Sequence, residues 1–211
     1  MSLIDYVTAQ CNHVVPDGRE SAIRSAVNAH IDDALARMHF CINACAPWKA
    51  DQFNVMQSSQ HSIFLYFLSN SIYKTSGNVD AATRLFLVNK AFNGIDLFYE
   101  IAMPPIFYIG HTVGIVLAKA NYGNRLVLYQ NVTIGRHKDR IPIIGDGVVV
   151  YPNSAIIGDC KVGDGVVVGQ GTSVLDCDVA RDRLAFKGSD GRLSFRKAPK
   201  DILDEYFRET C

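Results

Sequence analysis

The sequence predicts an α+β chain: a helical bundle over residues 1–94, a parallel β-helix over 95–180, and a basic C-terminal tail over 181–211 that includes a short helix. Three observations predict it. Apolar residues recur at steps of three and four up to about Ala91, a repeat of six follows, and beyond Val179 the charge turns basic.

The helical half is read from segments such as Glu20–Met38, where apolar residues occupy one face and charges the other. Ser59–Lys74 is more apolar and is expected to pack between neighbours, and Asn78–Phe92 is helical again. Pro47 and Thr75-Ser76-Gly77 are the expected breaks. Nothing in this half reads alone as a chemical site.

From about Leu97 the grammar changes. Ile144, Val150, Ile156, Val162, Val168 and Val174 fall at a spacing of six without a slip. Ile109, Ile115, Ala120, Leu126 and Val132 continue the rule upstream with one five-residue step. Neither a helix nor an isolated strand has a period of six, whereas a solenoid built from one short strand and one turn per unit does. Each aliphatic residue is expected to point inward and stack on its copies three units away. Between Gly135 and Ile144 the repeat is interrupted by RHKDRIPI, a charged loop of the kind that carries function.

Composition narrows the function classes. Lys+Arg and Asp+Glu are equal at 21 each, so the whole chain makes no electrostatic case for nucleic acid. Ile101–Ala118 lacks Asp, Glu, Lys and Arg, yet Pro104-Pro105 and His111 argue against membrane insertion. The start, MSLIDYVTAQ, lacks the basic and apolar regions of an export signal, and the six cysteines form no CxxC pair; both point to a cytoplasmic protein with reduced thiols. Of the six histidines, His13, His30, His39 and His61 belong to the helical half and read as surface or core residues. Only His111 and His137 lie in the repeat, too few for the three-histidine zinc site of a β-helical carbonic anhydrase, so no metal is expected.

His111 stands in IGHTVG, two residues after an inward position, and Asp96 precedes it by fifteen residues, close to the eighteen of a full three-sided turn. The two are expected as neighbours on adjacent turns, the carboxylate orienting one imidazole nitrogen while the other faces a substrate. From the residues alone, a solvated histidine and a strand-start aspartate are an equal reading.

These residues sit in stretches that carry a resemblance. GHTVGIV, LYQNVTIG and IGDGVVVYPNSAIIGDCKVGDGVVVGQGTSVL, within a match from about His61 to Gly188, resemble the serine acetyltransferases, whose helical domain precedes a left-handed hexapeptide β-helix. The resemblance implies acetyl-CoA as donor, His111 as the base that deprotonates an acceptor hydroxyl, Asp96 as its orienter, and direct transfer without an acyl-enzyme. It also implies a homotrimer or a multiple of it with sites between subunits; the apolar Val148/Val150 and Val166/Val168 are expected to supply the lateral contacts.

The departures bear on the acceptor. Gly110 stands where the family places a carboxylate beside the histidine, and a second family carboxylate falls near Ala44–Ala46, where none stands. The loop is about four residues shorter, and the family's second active-site histidine aligns with Ile141, leaving His137 as a displaced substitute or a plain loop residue. Unpaired burial of an amino-acid ammonium is costly, which favours a small molecule or sugar hydroxyl, as in the similar surface-polysaccharide O-acetyltransferases. Gly110, Arg136 and His137 are assigned to the acceptor. Gly135, Gly169, Gly171, Lys187 and Arg192 are assigned to the donor, since Arg and Lys suit its phosphates. The alternatives are serine O-acetyltransfer itself and an inactive β-helix used for assembly.

Overall fold

The computed structural model describes residues 1–209. Four helices come first: α1 (Leu3–Val14), α2 (Glu20–Ala44), α3 (Ser58–Ser76) and α4 (Val79–Asn93). Ser2 caps α1 in a reciprocal capping box with Asp5, and Gly77 and Gly94 end α3 and α4 in the left-handed conformation. Every residue of α3 from Ser59 to Ile72 is buried, so its polar groups find partners inside: the Tyr66 hydroxyl donates to the Ile101 carbonyl (2.5 Å) and the Asn70 amide to that of Tyr99 (2.6 Å). His61 is a satisfied core histidine, Nε2 facing Gln10 Oε1 (3.2 Å) and Nδ1 facing Asn93 Nδ2 (3.1 Å).

After Gly94 the chain winds into the left-handed parallel β-helix. One face holds β1 (Asp96–Leu97), β3 (Val116–Leu117), β6 (Thr133–Gly135), β9 (Ala155–Ile157) and β12 (Ser173–Leu175). A second holds β4 (Asn121–Tyr122), β7 (Ile143–Ile144) and β10 (Lys161–Val162). The third holds β2 (Phe107–Ile109), β5 (Leu126–Leu128), β8 (Val149–Val150), β11 (Val167–Val168), then β13 (Arg183–Lys187) and antiparallel β14 (Leu193–Lys197).

From Ile144 to Val174 the six repeat positions are all buried, as the period requires. Upstream, Ile109 pairs with Leu128 and is in phase, but from Ile115 to Val132 the pairing corrects the reading by two residues. Leu128 rather than Leu126 lies beside Val150, and Ile134 rather than Val132 beside Ile156. The cause is that each unit sends two side chains inward: Val148, Ser154, Val166 and Thr172, two before the repeat positions, are also buried. Upstream that second column is itself aliphatic, so both phases look alike in the sequence. The true phase makes the loop an insertion of four, since register advances 22 residues from Val127 to Val149 but 18 from Val149 to Val167.

The C-terminal segment does more than trail. Residues 183–187 extend the third face in register with β11, and 193–197 close a hairpin on them. The chain then runs back along that face as a strap. Leu203, in a 3-10 turn (Ile202–Glu205), packs on Gly147, and Tyr206 joins Tyr108, Tyr129 and Tyr151. Phe207 bridges to Cys45, and the Arg208 guanidinium donates to the carbonyls of Ile42 (3.1 Å), Asn43 (3.0 Å), Cys45 (2.7 Å) and Trp48 at the end of α2. These carbonyls lie at and just past the C-terminus of α2, where regular helical bonding ends, and a cation there also complements the helix dipole.

Candidate active site

His111 lies on the first corner between the third and first faces. Inward Ile109 and the Gly110 amide, bonded to the Leu128 carbonyl (2.9 Å), anchor the corner, and the Ser59 hydroxyl donates to the Gly110 carbonyl (3.2 Å). The His111 side chain projects outward, exposed, with the Tyr129 ring edge-on at 6.5 Å. Tyr129 stacks on Tyr151 (5.6 Å, 24°), and its hydroxyl meets that of Tyr206 at 3.0 Å. Burial and the bonds to its two neighbours raise the Tyr206 hydroxyl above the usual tyrosine range, so it stays protonated.

Gly110 does not leave room for an acceptor. A Cβ there would lie 2.5 Å from the Tyr129 ring, so the glycine is required by the tyrosine that fills the space.

Asp96 is in β1, its amide bonded to the Ile115 carbonyl (2.8 Å), which places it beside the end of the His111 corner. Its carboxylate is held by Lys90 Nζ at 2.9 Å, and among the described residues no hydrogen bond joins it to His111. The Lys90–Asp96 pair is solvent-exposed, and pairs of that kind contribute about 0–1 kcal/mol, so its release costs little.

On the opposite edge of the first face, the inserted loop forms a two-residue hairpin. His137 and Arg140 exchange both backbone bonds (3.0 and 2.8 Å), with Lys138 and Asp139 at φ 46° and 61°. His137 Nδ1 meets Asp176 Oδ2 at 2.6 Å. The bond from the Asp159 amide, and then the imidazole, hold the Asp176 carboxyl below the usual carboxylate range. His137, Lys138, Arg140, Asp159, Lys161, Asp176, Cys177 and Asp178 line a cavity of about 750 Å³. Arg136 is exposed and 4.0 Å from Asp139. Gly135 lies in register with Ile157, and a Cβ there would make an ordinary contact at 3.4 Å. Asp176 went unread in the sequence although Gly158 stands one eighteen-residue turn before it, the spacing that places the two on one corner.

Of the residues assigned to the donor, Gly171 and Lys187 come together. With Thr172, Ser173, Gly191 and Leu193 they line a groove of about 270 Å³. Gly169 sits where β13 approaches, a Cβ lying 3.2 Å from the Ala185 carbonyl. Arg192, at the hairpin beside the groove, pairs loosely with Asp190 (4.0 Å). Gly110, Tyr129, Tyr151 and Gly169 stack on one corner, so His111 and the basic groove lie along a single edge, three turns or ~14 Å apart. Among the described residues no helix is long and apolar enough to cross a membrane, and no three His, Cys, Asp or Glu side chains converge as metal ligands.

Residues 141–176 match the bacterial transferase hexapeptide (six repeats) family. A serine acetyltransferase of Staphylococcus epidermidis is 28% identical over 120 residues, 54% of this chain and 56% of that protein. The chain thus matches just over half the length of such relatives. Among solved structures, the serine acetyltransferase of Brucella abortus superposes with a TM-score of 0.72 at 18% identity, covering 92% of this chain and 83% of that one. That of Neisseria gonorrhoeae, in complex with serine, gives 0.64 at 19% identity, covering 92% and 84%. At these identities the likeness shows the fold.

Proposed function

We propose that this chain, a serine acetyltransferase-like hexapeptide-repeat protein, is an O-acetyltransferase that uses acetyl-CoA as donor. The single corner carrying both His111 and the Gly171–Lys187 groove supports the reading most directly. An extended donor laid along that edge would place its phosphates near Lys187 and Arg192 and its thioester near His111. His111 takes the proton of the acceptor hydroxyl, the oxygen attacks the thioester carbonyl, and the proton passes to the departing thiol. Asp96, released from Lys90, orients the imidazole. General-base help of this kind is worth on the order of 10²–10⁴-fold.

For the acceptor, the relatives' names support L-serine over the sugar hydroxyl favoured by sequence reasoning. The sugar reading keeps one observation: a glycine, not a carboxylate, precedes His111. Release of free thiol from acetyl-CoA, measured with L-serine and with a panel of sugars, decides between them. No release with any acceptor overturns the enzyme reading in favour of an assembly subunit.

Assembly as a homotrimer is part of the proposal. Val148, Val150, Val166 and Val168, expected at its interface, are fully buried within the protomer and cannot serve. The first face offers Val116 and Leu175 instead, 45% and 53% exposed. His111 and His137 occupy opposite edges of that face, so a second copy against it would bring one of each together.

A further inference from the structure

The geometry points to Asp176 as the positioning residue of His137, fixing the imidazole with Nδ1–H on the carboxylate and Nε2 presented to the cavity. Its role in acceptor binding rests on the proposed acetyl transfer; the pairing itself does not.

Four observations carry it. The Nδ1···Oδ2 separation is 2.6 Å, short enough for a charge-assisted bond. The other carboxylate oxygen accepts the Asp159 amide at 2.9 Å, so each oxygen of Asp176 has a fixed partner. Asp176 holds φ 46°, and beneath it a Cβ on Gly158 would lie 2.0 Å from Asp176 Oδ1 and 2.9 Å from His137 Cβ, so only glycine admits the pair. On the other side, the hairpin keeps Lys138 and Asp139 at positive φ, a strain that places His137 at its base. A loop, a corner and a glycine from three turns are thus shaped around one contact. With Nδ1 taken, the remaining nitrogen serves the cavity shared with Lys138, Arg140 and Lys161.

Asp176→Asn is the discriminating variant, because asparagine keeps the acceptor for the Asp159 amide and tolerates positive φ. Nitrogen NMR of the full chain is expected to show a single Nδ1–H tautomer for His137 in the wild type and a mixture, or the Nε2–H form, in the variant. In the thiol-release assay, the acceptor KM is expected to rise about tenfold, the cost of one hydrogen bond to a charged group. The acetyl-CoA KM should stay within about twofold, and adding His137→Ala should cause little further loss. A wild-type Nε2–H tautomer, or an unchanged spectrum in the variant, overturns the pairing; an unchanged acceptor KM overturns the positioning role. If the wild type releases no thiol, the acetyl-transfer reading falls while the spectrum still decides the pair.

Discussion

At the scale of single residues, the proposed chemistry rests on the corner of the first turn. His111→Ala is expected to lower kcat by about 10²-fold or more with little change in acetyl-CoA affinity, and Asp96→Asn to act in the same direction more mildly. Near-wild-type kcat in the His111 variant would remove it as the base. Gly110→Ala tests the Tyr129 contact separately. Its new methyl meets a ring at 2.5 Å, and overpacking of that kind costs about 1–3 kcal/mol, read as a lower urea midpoint. An unchanged midpoint would show that the ring swings aside freely. The sequence made His111 and Asp96 visible because their spacing is close to one turn. It hid Tyr129 and Tyr206, which lie 18 and 95 residues beyond His111 and meet the site only through the stacking of turns and the return of the strap.

At the scale of elements, the strict period between Ile144 and Val174 was legible because its second inward column is mostly distinct, with Ser154, Cys160 and Thr172 among its members. Upstream, Ile115, Leu126 and Val132 made that column as apolar as the first, and hydrophobicity alone does not separate two equivalent phases. In α3 the apolar composition correctly signalled burial between neighbours, and burial has a consequence for pH. Desolvation holds the His61 imidazole below its ordinary value, partly offset by Asn93. An unfolded chain titrates there near pH ~6.5, so below that value it binds more protons than the folded one. The stabilising contribution is complete above pH ~6.5 and falls as pH drops toward the folded value. Urea midpoints of the wild type should therefore decline between pH ~7.5 and ~5.5 more than those of His61→Gln, and equal slopes would remove His61 as the cause.

At the scale of the whole molecule, sedimentation should find a trimer or a multiple of it, and an active monomer would exclude sites shared between copies. The basic residues between Arg181 and Lys200, namely Arg181, Arg183, Lys187, Arg192, Arg196, Lys197 and Lys200, are all exposed, yet the backbone that carries them forms the last strands and leads into the strap. A stack of repeats in contact only with their neighbours ordinarily loses its coils one by one from an open end. Here residues 206–208 are bonded to the end of α2, ahead of the first coil, so the stack has its last residues tied to its beginning. Fraying at the far end must first break those contacts, which couples the opening of the last coil to that of the first. Amide hydrogen exchange along the coils should then be nearly level and follow one global transition. A chain ended after Lys200 should instead exchange in a gradient, fastest at β13 and β14 and slowest beside the helices.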